Sequence, residues 1–303
     1  MHTTRREMLA NCGMIGLAAL CGSSSLASEA FAAPGRRRAN RMQIGYASIT
    51  WGGNDVQAME DIAALGYPGI QLRANTLKEF PDPKQLAAKL AAQKLAFVAL
   101  SSGLVEIDPA KEKETIETNV AHAKYLAEAG GKYLQLIATF RDQSTATNAD
   151  LLRLARLMTE IGRQAAAVGV QAGFHNHMGT IGQTPAAVDT IMAAVDTKYV
   201  KLLLDTAHYF QGGGDPAEAI RKYRRELLFL HLKDVTPATN RTGYRFVELG
   251  QGKLNFPAVI AALREIKFEG WGVIELDGPT PGRTPKESAA VSKAYLEKLG
   301  VRV

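Results

Sequence analysis

Cysteine is nearly absent from this 303-residue chain, and the two that it has, Cys12 and Cys21, lie close to the N-terminus. If residues 1–32 are a cleaved signal peptide, as their pattern indicates, the remaining protein has no cysteine. Such a protein forms no disulfide and offers no thiolate as a nucleophile or a zinc ligand. Its chemistry must therefore use other side chains.

Two further absences exclude common classes of protein. Outside the N-terminal region, no segment approaches the roughly 20 consecutive apolar residues that a membrane span needs. The sequence also contains neither the G-x-G-x-x-G turn of dinucleotide-binding folds nor a P-loop. The first absence argues against an integral membrane protein, and the second argues against a doubly wound sheet with a glycine-rich dinucleotide turn.

Positive charge is concentrated before the main body of the chain. The formal net charge is +6, but four arginines between residues 36 and 41 supply most of it. From residue 42 onward the net charge is only +2. A basic stretch that precedes a nearly neutral body is more often a solvated linker than a surface for nucleic acid. We therefore predict no nucleic-acid partner.

The N-terminal segment has the organisation of an export signal. Arg5-Arg6 precedes an apolar run from Met14 to Leu20, and Ala30-Phe31-Ala32 places small residues where a signal peptidase cleaves. The pattern is typical of a twin-arginine signal, with Met8 where phenylalanine is usual. We predict a twin-arginine-type signal peptide at residues 1–32, a basic linker at 33–41 and a periplasmic protein that does not associate with the membrane after cleavage.

From residue 42 onward, short apolar runs alternate eight times with helical patterns. The helical segments have apolar residues at intervals of three and four, and several follow an N-cap residue and a proline. The predicted helices are Asp55 to Leu65, Lys84 to Gln93, Thr115 to Ala129, Ala149 to Ala167, Pro185 to Val195, Pro216 to Leu227, Phe256 to Ile266 and Lys286 to Leu299. The predicted strands are Gln43 to Ile49, Gly69 to Leu72, Ala96 to Leu100, Tyr133 to Ile137, Val170 to His175, Val200 to Leu204, Leu228 to Leu232 and Trp271 to Leu276.

Eight such units in about 260 residues predict an α/β fold, a single-domain (β/α)8 TIM barrel over residues 42–303. A doubly wound sheet is the alternative, but it rarely repeats the unit eight times without an antiparallel edge or a glycine-rich turn. In a barrel the catalytic groups lie at the carboxyl ends of the strands. Those ends are therefore the place to search for a site.

Residues that bind metals or transfer protons follow four successive strands. They occur in VQAGFHNH, VKLLLDTAH, LLFLHLKD and WGVIELDG, and these segments hold four of the six histidines of the chain. Alternation along a strand places His175 with His177 and His231 with Lys233, whereas Asn176 and Asp234 should point away. A mixed set of imidazoles and carboxylates suits Mn²⁺, Co²⁺, Zn²⁺, Fe²⁺ or Mg²⁺. We therefore predict one divalent metal ion.

At these residues the chain resembles the xylose-isomerase-like sugar isomerase and epimerase superfamily, which includes ketose 3-epimerases, inosose dehydratases and, more distantly, endonuclease IV. The matching motifs are L-L-D-T-A-H from Leu203, H-L-K-D from His231, G-Q-G from Gly250 and V-I-E from Val273. The resemblance implies that Asp205, His231 and Glu275 hold the metal and that His208 contacts the substrate.

The chain departs from this family on the fifth strand. Epimerases of the family carry a glutamate there and use it with the glutamate of the last strand as two bases. Here the fifth strand ends in Phe174-His175-Asn176-His177, which is closer to the inosose dehydratase branch. His175 then becomes the fourth predicted metal ligand, and a histidine has to replace the missing glutamate as acid or base.

The predicted reaction begins with proton abstraction next to a carbonyl, helped by the metal. We predict catalytic roles for Glu275, His177, His208 and Lys233; the alternative for His177 is that it only orients His175. Lys233 and His208 are also predicted to bind substrate. Trp51 after the first strand is predicted as an apolar platform for a sugar, or as a barrel-rim residue. Arg73 is predicted to bind a hydroxyl or carboxylate, or to form a surface ion pair.

These roles lead to a metal-dependent isomerase or epimerase that acts on a keto-sugar or an oxidised glycoside. One alternative is a lyase that expels a β-leaving group, and another is a sugar-binding barrel without catalytic activity. A DNA-repair endonuclease with three zinc ions would need more ligands on strands 2 to 4 than the chain has there. The segment from Thr236 to Lys253 is longer than an ordinary loop and is predicted as a lid or a dimer contact, which leaves a homo-oligomer open.

Overall fold

The structure of the protein, a computed structural model, describes residues 42–141 and 143–303. The predicted signal peptide and basic linker, residues 1–41, lie outside the described residues and stay predictions. Over the described part of the chain, no helix is both long and apolar enough to span a membrane.

Eight parallel strands close into a barrel, which confirms the predicted TIM-barrel fold and its single domain. Around the barrel each strand pairs with its neighbours along the chain, and the last barrel strand pairs with the first. The barrel strands are β1 (Gln43–Ala47), β2 (Gly69–Arg73), β3 (Ala96–Val105), β4 (Tyr133–Ala138), β5 (Gln171–His175), β6 (Val200–Asp205), β7 (Leu227–Leu232) and β10 (Trp271–Ile274). A separate antiparallel hairpin is formed by β8 (Asp234–Pro237) and β9 (Tyr244–Val247).

The helices surround the barrel. They are α1 (Asp55–Ala64), α2 (Thr76–Glu79), α3 (Pro83–Ala92), α4 (Glu112–Glu128), α5 (Asn148–Ala166), α6 (Pro185–Ala194), α7 (Thr206–Gln211), α8 (Pro216–Lys222), α9 (Phe256–Glu265) and α10 (Pro285–Lys298). Side-chain caps at Asp215 and Thr184, each followed by proline, start α8 and α6. Thr147 and Thr284 form capping boxes at α5 and α10.

Large side chains fill the inside of the barrel beneath the carboxyl ends of the strands. Phe229 stacks on Tyr133 with ring centroids 5.3 Å apart, and Trp271 packs nearby against β2. A Cβ atom at Gly69 would lie 2.6 Å from the Trp271 ring, so only glycine allows this close approach. The barrel is therefore closed at this level, and a site must lie above it.

Candidate active site

Four strand ends bring four side chains to one point at the mouth of the barrel. His175, Asp205 and His231 lie on β5, β6 and β7, and Glu275 directly follows β10. In the strand register, His231 lies opposite Asp205 of β6 on one side and opposite Val273 of β10 on the other. All four side chains are buried. Residues far apart in the sequence therefore share one level of the barrel.

Each of these four residues, which we call the ligand cluster, offers a ligand atom within 4.8 Å of the others. Asp205 Oδ2 lies 3.5 Å from His175 Nε2 and 3.6 Å from His231 Nδ1. His231 Nδ1 is also 3.3 Å from Glu275 Oε2. The four side chains that the sequence predicted as metal ligands are thus brought together. Their role as ligands stays a prediction.

Several buried polar atoms that face this point have no hydrogen-bond partner among residues 42–141 and 143–303: His175 Nε2, Asp205 Oδ2, His208 Nε2 and His231 Nδ1. A buried polar atom without a partner costs about 1–3 kcal/mol, and more when it is charged. Four such atoms in one place would destabilise the core, and a cation bound between them would satisfy several of them together. Two carboxylates and two imidazoles suit a divalent ion such as Zn²⁺ or Mn²⁺.

The protonation states in the ligand cluster also suit a cation. Burial alone would raise the pKa of Asp205, but the histidines around it and Lys233 hold that pKa well below its ordinary value. The same balance of burial against His231 and Lys233 lowers the pKa of Glu275. Burial lowers the pKa of His175 to about 4. The cluster therefore combines ionised carboxylates with a neutral His175 imidazole at neutral pH.

Lys233 is the cation that the chain itself places beside the ligand cluster. Its Nζ donates to Glu275 Oε1 at 2.9 Å and to Asp277 Oδ1 at 2.5 Å, and lies 4.0 Å from the centroid of the Phe246 ring. Burial alone would lower the pKa of Lys233, but Asp277 and Glu275 outweigh it and raise that pKa. Lys233 therefore stays charged and is not available as a base.

The rings of His177 and His208 lie 3.9 Å apart between centroids, tilted by 36°, but they carry their protons on different atoms. The Met178 carbonyl can only accept, so His177 Nδ1, 2.6 Å away, holds the proton and Nε2 has a free lone pair. His208 Nδ1 accepts from the Met178 amide at 3.2 Å, so a neutral His208 holds its proton on Nε2. Burial, together with the charge of Lys233, lowers the pKa of His177, which favours the neutral base.

An open cavity of about 680 Å³ leads to the ligand cluster, and His175, His177, Glu275 and Asp277 line it. His208 is 1% exposed and lies behind His177, beside Asp205. The predicted catalytic and substrate-binding roles of His208 stay predictions. The geometry favours a positioning role, because His208 does not reach the cavity surface.

The two predicted substrate-binding residues near the first strands are placed differently from each other. Arg73 lines the cavity, and its predicted binding of a substrate hydroxyl or carboxylate stays a prediction. Trp51 does not line the cavity: it lies on a 3-10 helix (Ser48–Trp51), donates from Nε1 to Asp61 at 2.9 Å and packs edge-on against Tyr46. These contacts favour the alternative, structural role at the barrel rim, and the substrate-binding role of Trp51 stays a prediction.

The exposed aromatic ring at the cavity is Phe140, which sequence reasoning missed. Its side chain is 57% exposed, and its ring meets the His177 ring edge-on at 5.3 Å. Phe140 follows β4 in a segment without a motif, so no local signal marked it. Asn176 and Asp234 do point away from the site, as predicted: Asn176 Oδ1 accepts from the Asp205 amide, and Asp234 accepts from four backbone amides.

Two buried glutamines, Gln71 on β2 and Gln135 on β4, were also not predicted as site residues. His231 Nε2 contacts Gln71 Oε1 at 2.9 Å, and Gln135 Nε2 contacts His175 Nδ1 at 3.0 Å. The two amides meet at 2.6 Å, from Gln71 Nε2 to Gln135 Oε1. The sequence offered one indication of these two site residues: each glutamine is a polar residue at an inward position of an otherwise apolar strand.

Comparison with known proteins identifies the family to which the chain belongs. The family described as "Xylose isomerase-like TIM barrel" matches residues 59–299. The chain is 27% identical over 289 residues to an inosose dehydratase of Lacticaseibacillus casei, covering 84% of this chain and 96% of the relative. An inosose dehydratase of Geobacillus kaustophilus is 25% identical over 303 residues, covering 86% of this chain and 95% of the relative.

Among solved structures, the crystal structure of "IOLI protein with a binding zinc atom" superposes with a TM-score of 0.74 at 19% identity. The match covers 85% of this chain and 98% of that one. This similarity shows the fold. The protein therefore belongs to the xylose isomerase-like TIM barrel family, as the sequence motifs indicated.

Proposed function

We propose that the protein is a divalent-metal-dependent lyase that removes water from a keto-sugar or an inosose-type keto-polyol. The observation that carries this proposal is His177, whose lone pair on Nε2 lines the cavity next to the ligand cluster. The inosose dehydratases among the curated relatives support it. They favour the lyase alternative over the isomerase or epimerase that the sequence predicted first.

The residues on β5 support the same choice. Dehydration of a hydroxyketone can proceed with one base, whereas epimerisation needs a second proton donor on the opposite face of the substrate. In epimerases of this family that second group is a glutamate on the fifth strand. Here the position holds His175, which is 1% exposed, and its Nδ1 contacts Gln135. His177 is therefore the residue free to carry a proton.

A divalent ion bound by the ligand cluster would polarise the substrate carbonyl and make the neighbouring C–H group more acidic. His177 Nε2 then takes the proton from that carbon. The electron pair of the C–H bond forms a C=C bond while the bond to the β-hydroxyl oxygen breaks. The His177 imidazolium returns its proton to the departing hydroxide, which leaves as water. Nothing is oxidised or reduced, and the enzyme regains its starting form.

Glu275 is a poor candidate for this base, although the sequence predicted a catalytic role for it. Its Oε1 accepts from Lys233, and its Oε2 belongs to the ligand cluster. Lys233 keeps Glu275 ionised and fixed in place. We propose that Glu275 binds the metal and that Lys233 positions Glu275.

The test is incubation of the metal-loaded protein with an inosose, a 3-keto-glucoside and a free ketose in D₂O, followed by NMR and ultraviolet absorbance. We expect loss of water and a new enone absorbance for at least one substrate. His177→Ala should lower the rate by roughly 100-fold to 10,000-fold and keep the metal. His122→Ala, on α4 and outside the cavity lining, is the matched control and should be nearly unaffected.

Other outcomes identify the alternatives. Deuterium uptake at carbon without loss of the hydroxyl would support the isomerase or epimerase. Sugar binding with neither deuterium uptake nor elimination would support a binding barrel, and in either case the lyase proposal would fail.

A further inference from the structure

The two histidines of the ligand cluster are joined through the inside of the barrel by Gln71 and Gln135, which we call the glutamine pair. The hydrogen-bond chain runs from His231 Nε2 to Gln71, from Gln71 to Gln135 and from Gln135 to His175 Nδ1, with distances of 2.9, 2.6 and 3.0 Å. Both glutamines are 2% exposed. At this low exposure, the hydrogen bonds of the chain run between protein atoms at every link.

An amide side chain has one face that donates and one that accepts. When two amides are linked in a row, their hydrogen bonds must run in one direction. If both histidines donated to the glutamines, each amide would turn its oxygen to a histidine and its NH₂ group to the other amide. Two NH₂ groups do not approach each other at 2.6 Å, so this arrangement is excluded. One histidine therefore donates into the chain, and the other accepts from it.

This direction determines the tautomers of both histidines. If His231 donates from Nε2, Gln135 donates to His175 Nδ1, and both neutral rings carry their proton on Nε2. If the chain is reversed, both rings carry it on Nδ1. The atoms that face the cluster are Nε2 of His175 and Nδ1 of His231. To present a lone pair at both atoms, the two rings would need opposite tautomers, which the chain does not permit.

The carboxylates indicate which histidine keeps its lone pair. His231 Nδ1 lies between Asp205 and Glu275, at 3.6 and 3.3 Å, whereas His175 Nε2 is near Asp205 alone, at 3.5 Å. A cation held by both carboxylates must lie next to His231 Nδ1. An N–H bond pointing into that space would repel it, so the direction in which His231 donates to Gln71 is favoured.

We propose that the glutamine pair restricts the metal to one histidine ligand, His231, and turns the Nε2–H group of His175 toward Asp205 Oδ2, which lies 3.5 Å away. Asp205, His231 and Glu275 then hold the ion, and one side of it is left for substrate. Gln71 and Gln135 are positioning residues that act through the two rings. This inference rests on the metal centre of the proposed function, but it makes a separate statement about the number of imidazole ligands.

The variant Gln135→Glu tests this inference. A carboxylate accepts at both ends, so the substituted residue would accept from Gln71 and also from Nδ1 of His175. His175 Nε2 would gain a lone pair and become a second imidazole ligand. With Zn²⁺ added to the metal-free protein, X-ray absorption should count one imidazole in the wild type and two in the variant. Zn²⁺ affinity should rise by roughly 10-fold.

Gln71→Glu is the second variant and should have the same effect once the Gln135 amide rotates. Gln85→Glu adds the same charge at an exposed position on α3 and is the matched control, with one imidazole expected. In the metal-free wild type, ¹⁵N NMR of the rings should show the Nε2–H tautomer at both His175 and His231. That measurement requires no variant to fold.

The outcomes separate this inference from the function on which it rests. Two imidazoles bound to Zn²⁺ in the wild type, opposite tautomers in the metal-free protein, or one imidazole in both glutamate variants would each overturn the inference and leave the metal centre intact. If the wild type binds no Zn²⁺, the proposed metal centre fails and the one-ligand statement fails with it. The tautomers would then report on the glutamine pair alone.

Discussion

At the scale of single residues, Asp205 Oδ2 is the atom that most of the site depends on. In the part of the chain that the structure describes, it has no hydrogen-bond donor, and nitrogen atoms of His175, His231 and His208 surround it at 3.5, 3.6 and 3.9 Å. The other oxygen of the same carboxylate caps α7 by accepting from the His208 amide at 2.8 Å. Asp205 thus fixes the start of a helix and offers its second oxygen to the cluster.

Asp205→Asn should remove metal binding while preserving much of the fold. An asparagine can still cap the helix through its oxygen, but it then turns its NH₂ group toward the cation. We expect the Zn²⁺ affinity to fall by at least about 100-fold, measured by competition with a chromogenic chelator. Asp215→Asn is the control, because Asp215 also caps a helix, α8, but is exposed and lies outside the ligand cluster. Unchanged Zn²⁺ content in the Asp205 variant would refute the proposed site.

Phe140 leads to a second prediction at this scale. Its exposed ring stands at the cavity next to His177, where a sugar ring could stack on it. Phe140→Ala should raise KM by about 5-fold and change kcat little, since stacking is worth about 1 kcal/mol. Leu152→Ala, an exposed apolar residue on α5, is the matched control. A fall in kcat at constant KM would show that Phe140 acts on His177 instead.

Sequence reasoning found the ligand cluster because each member ends a strand, and a barrel brings strand ends together. It missed the glutamine pair for a physical reason. Gln71 and Gln135 matter through the direction of hydrogen bonds between β2, β4, β5 and β7, and no spacing along one strand records that direction. Phe140 was missed because exposure at the cavity depends on the path of a loop.

At the scale of elements, the hairpin of β8 and β9 gives a structure to the long segment after β7. The sequence predicted a lid or a dimer contact there, and neither role is tested by the fold. Phe246 on β9 packs against His208, with ring centroids 5.1 Å apart, and against Lys233. The hairpin therefore covers the side of the site that lies away from the cavity.

Truncation of the Phe246 side chain should lower both the stability and the activity of the protein. Phe246→Ala exposes His208 and Lys233 to water, which weakens the ion pairs of Lys233 with Glu275 and Asp277. We expect a loss of about 2 kcal/mol in the free energy of unfolding, measured with urea, and a lower kcat. Arg245→Ala changes the exposed neighbour on the same strand and should leave both nearly constant. Equal effects of the two substitutions would argue against a covering role.

The ends of elements were predicted less well than their existence. The helix predicted from Pro216 to Leu227 ends at Lys222, and Leu227 already belongs to β7. Apolar residues continue from one element into the next here, so periodicity does not mark the boundary. The short helix α7 was not predicted from the sequence. Its N-cap is Asp205, so the helix begins inside the motif that was assigned to the end of β6.

At the scale of the whole molecule, eight repeated units were enough to predict the closed barrel. Each apolar run is buried on both faces, and parallel strands with helices between them close when there are eight. The same repetition placed the site at the carboxyl ends before any contact was known. It did not predict which hydrogen bonds and ion pairs connect the loops after the strands, because those contacts depend on single side chains.

Glu248 connects the segment after β9 to the loop before α10 and to α10 itself, and its charge makes the stability of the protein depend on pH. It follows β9 and is fully buried, and it accepts from Thr280 and Ser288 and pairs with Arg283 before α10. Burial would raise its pKa, but these partners lower the pKa of Glu248 to about 2. A lowered carboxyl pKa stabilises the folded state above the unfolded pKa, near 4.5, and this stability is lost as the pH falls toward 2.

Glu248→Gln should therefore lower the free energy of unfolding at pH 7 by about 2 kcal/mol, because three donors lose a charged acceptor. The difference from the wild type should shrink as the pH falls from 4.5 toward 2, since protonation then removes the same charge from the wild type. Urea unfolding of both proteins at pH 7, 4 and 3 measures this change. Glu265→Gln breaks an exposed pair with Arg221 and is the control, with a small effect at every pH. A difference that stays constant from pH 7 to pH 3 would mean that Glu248 contributes through packing and not through its charge.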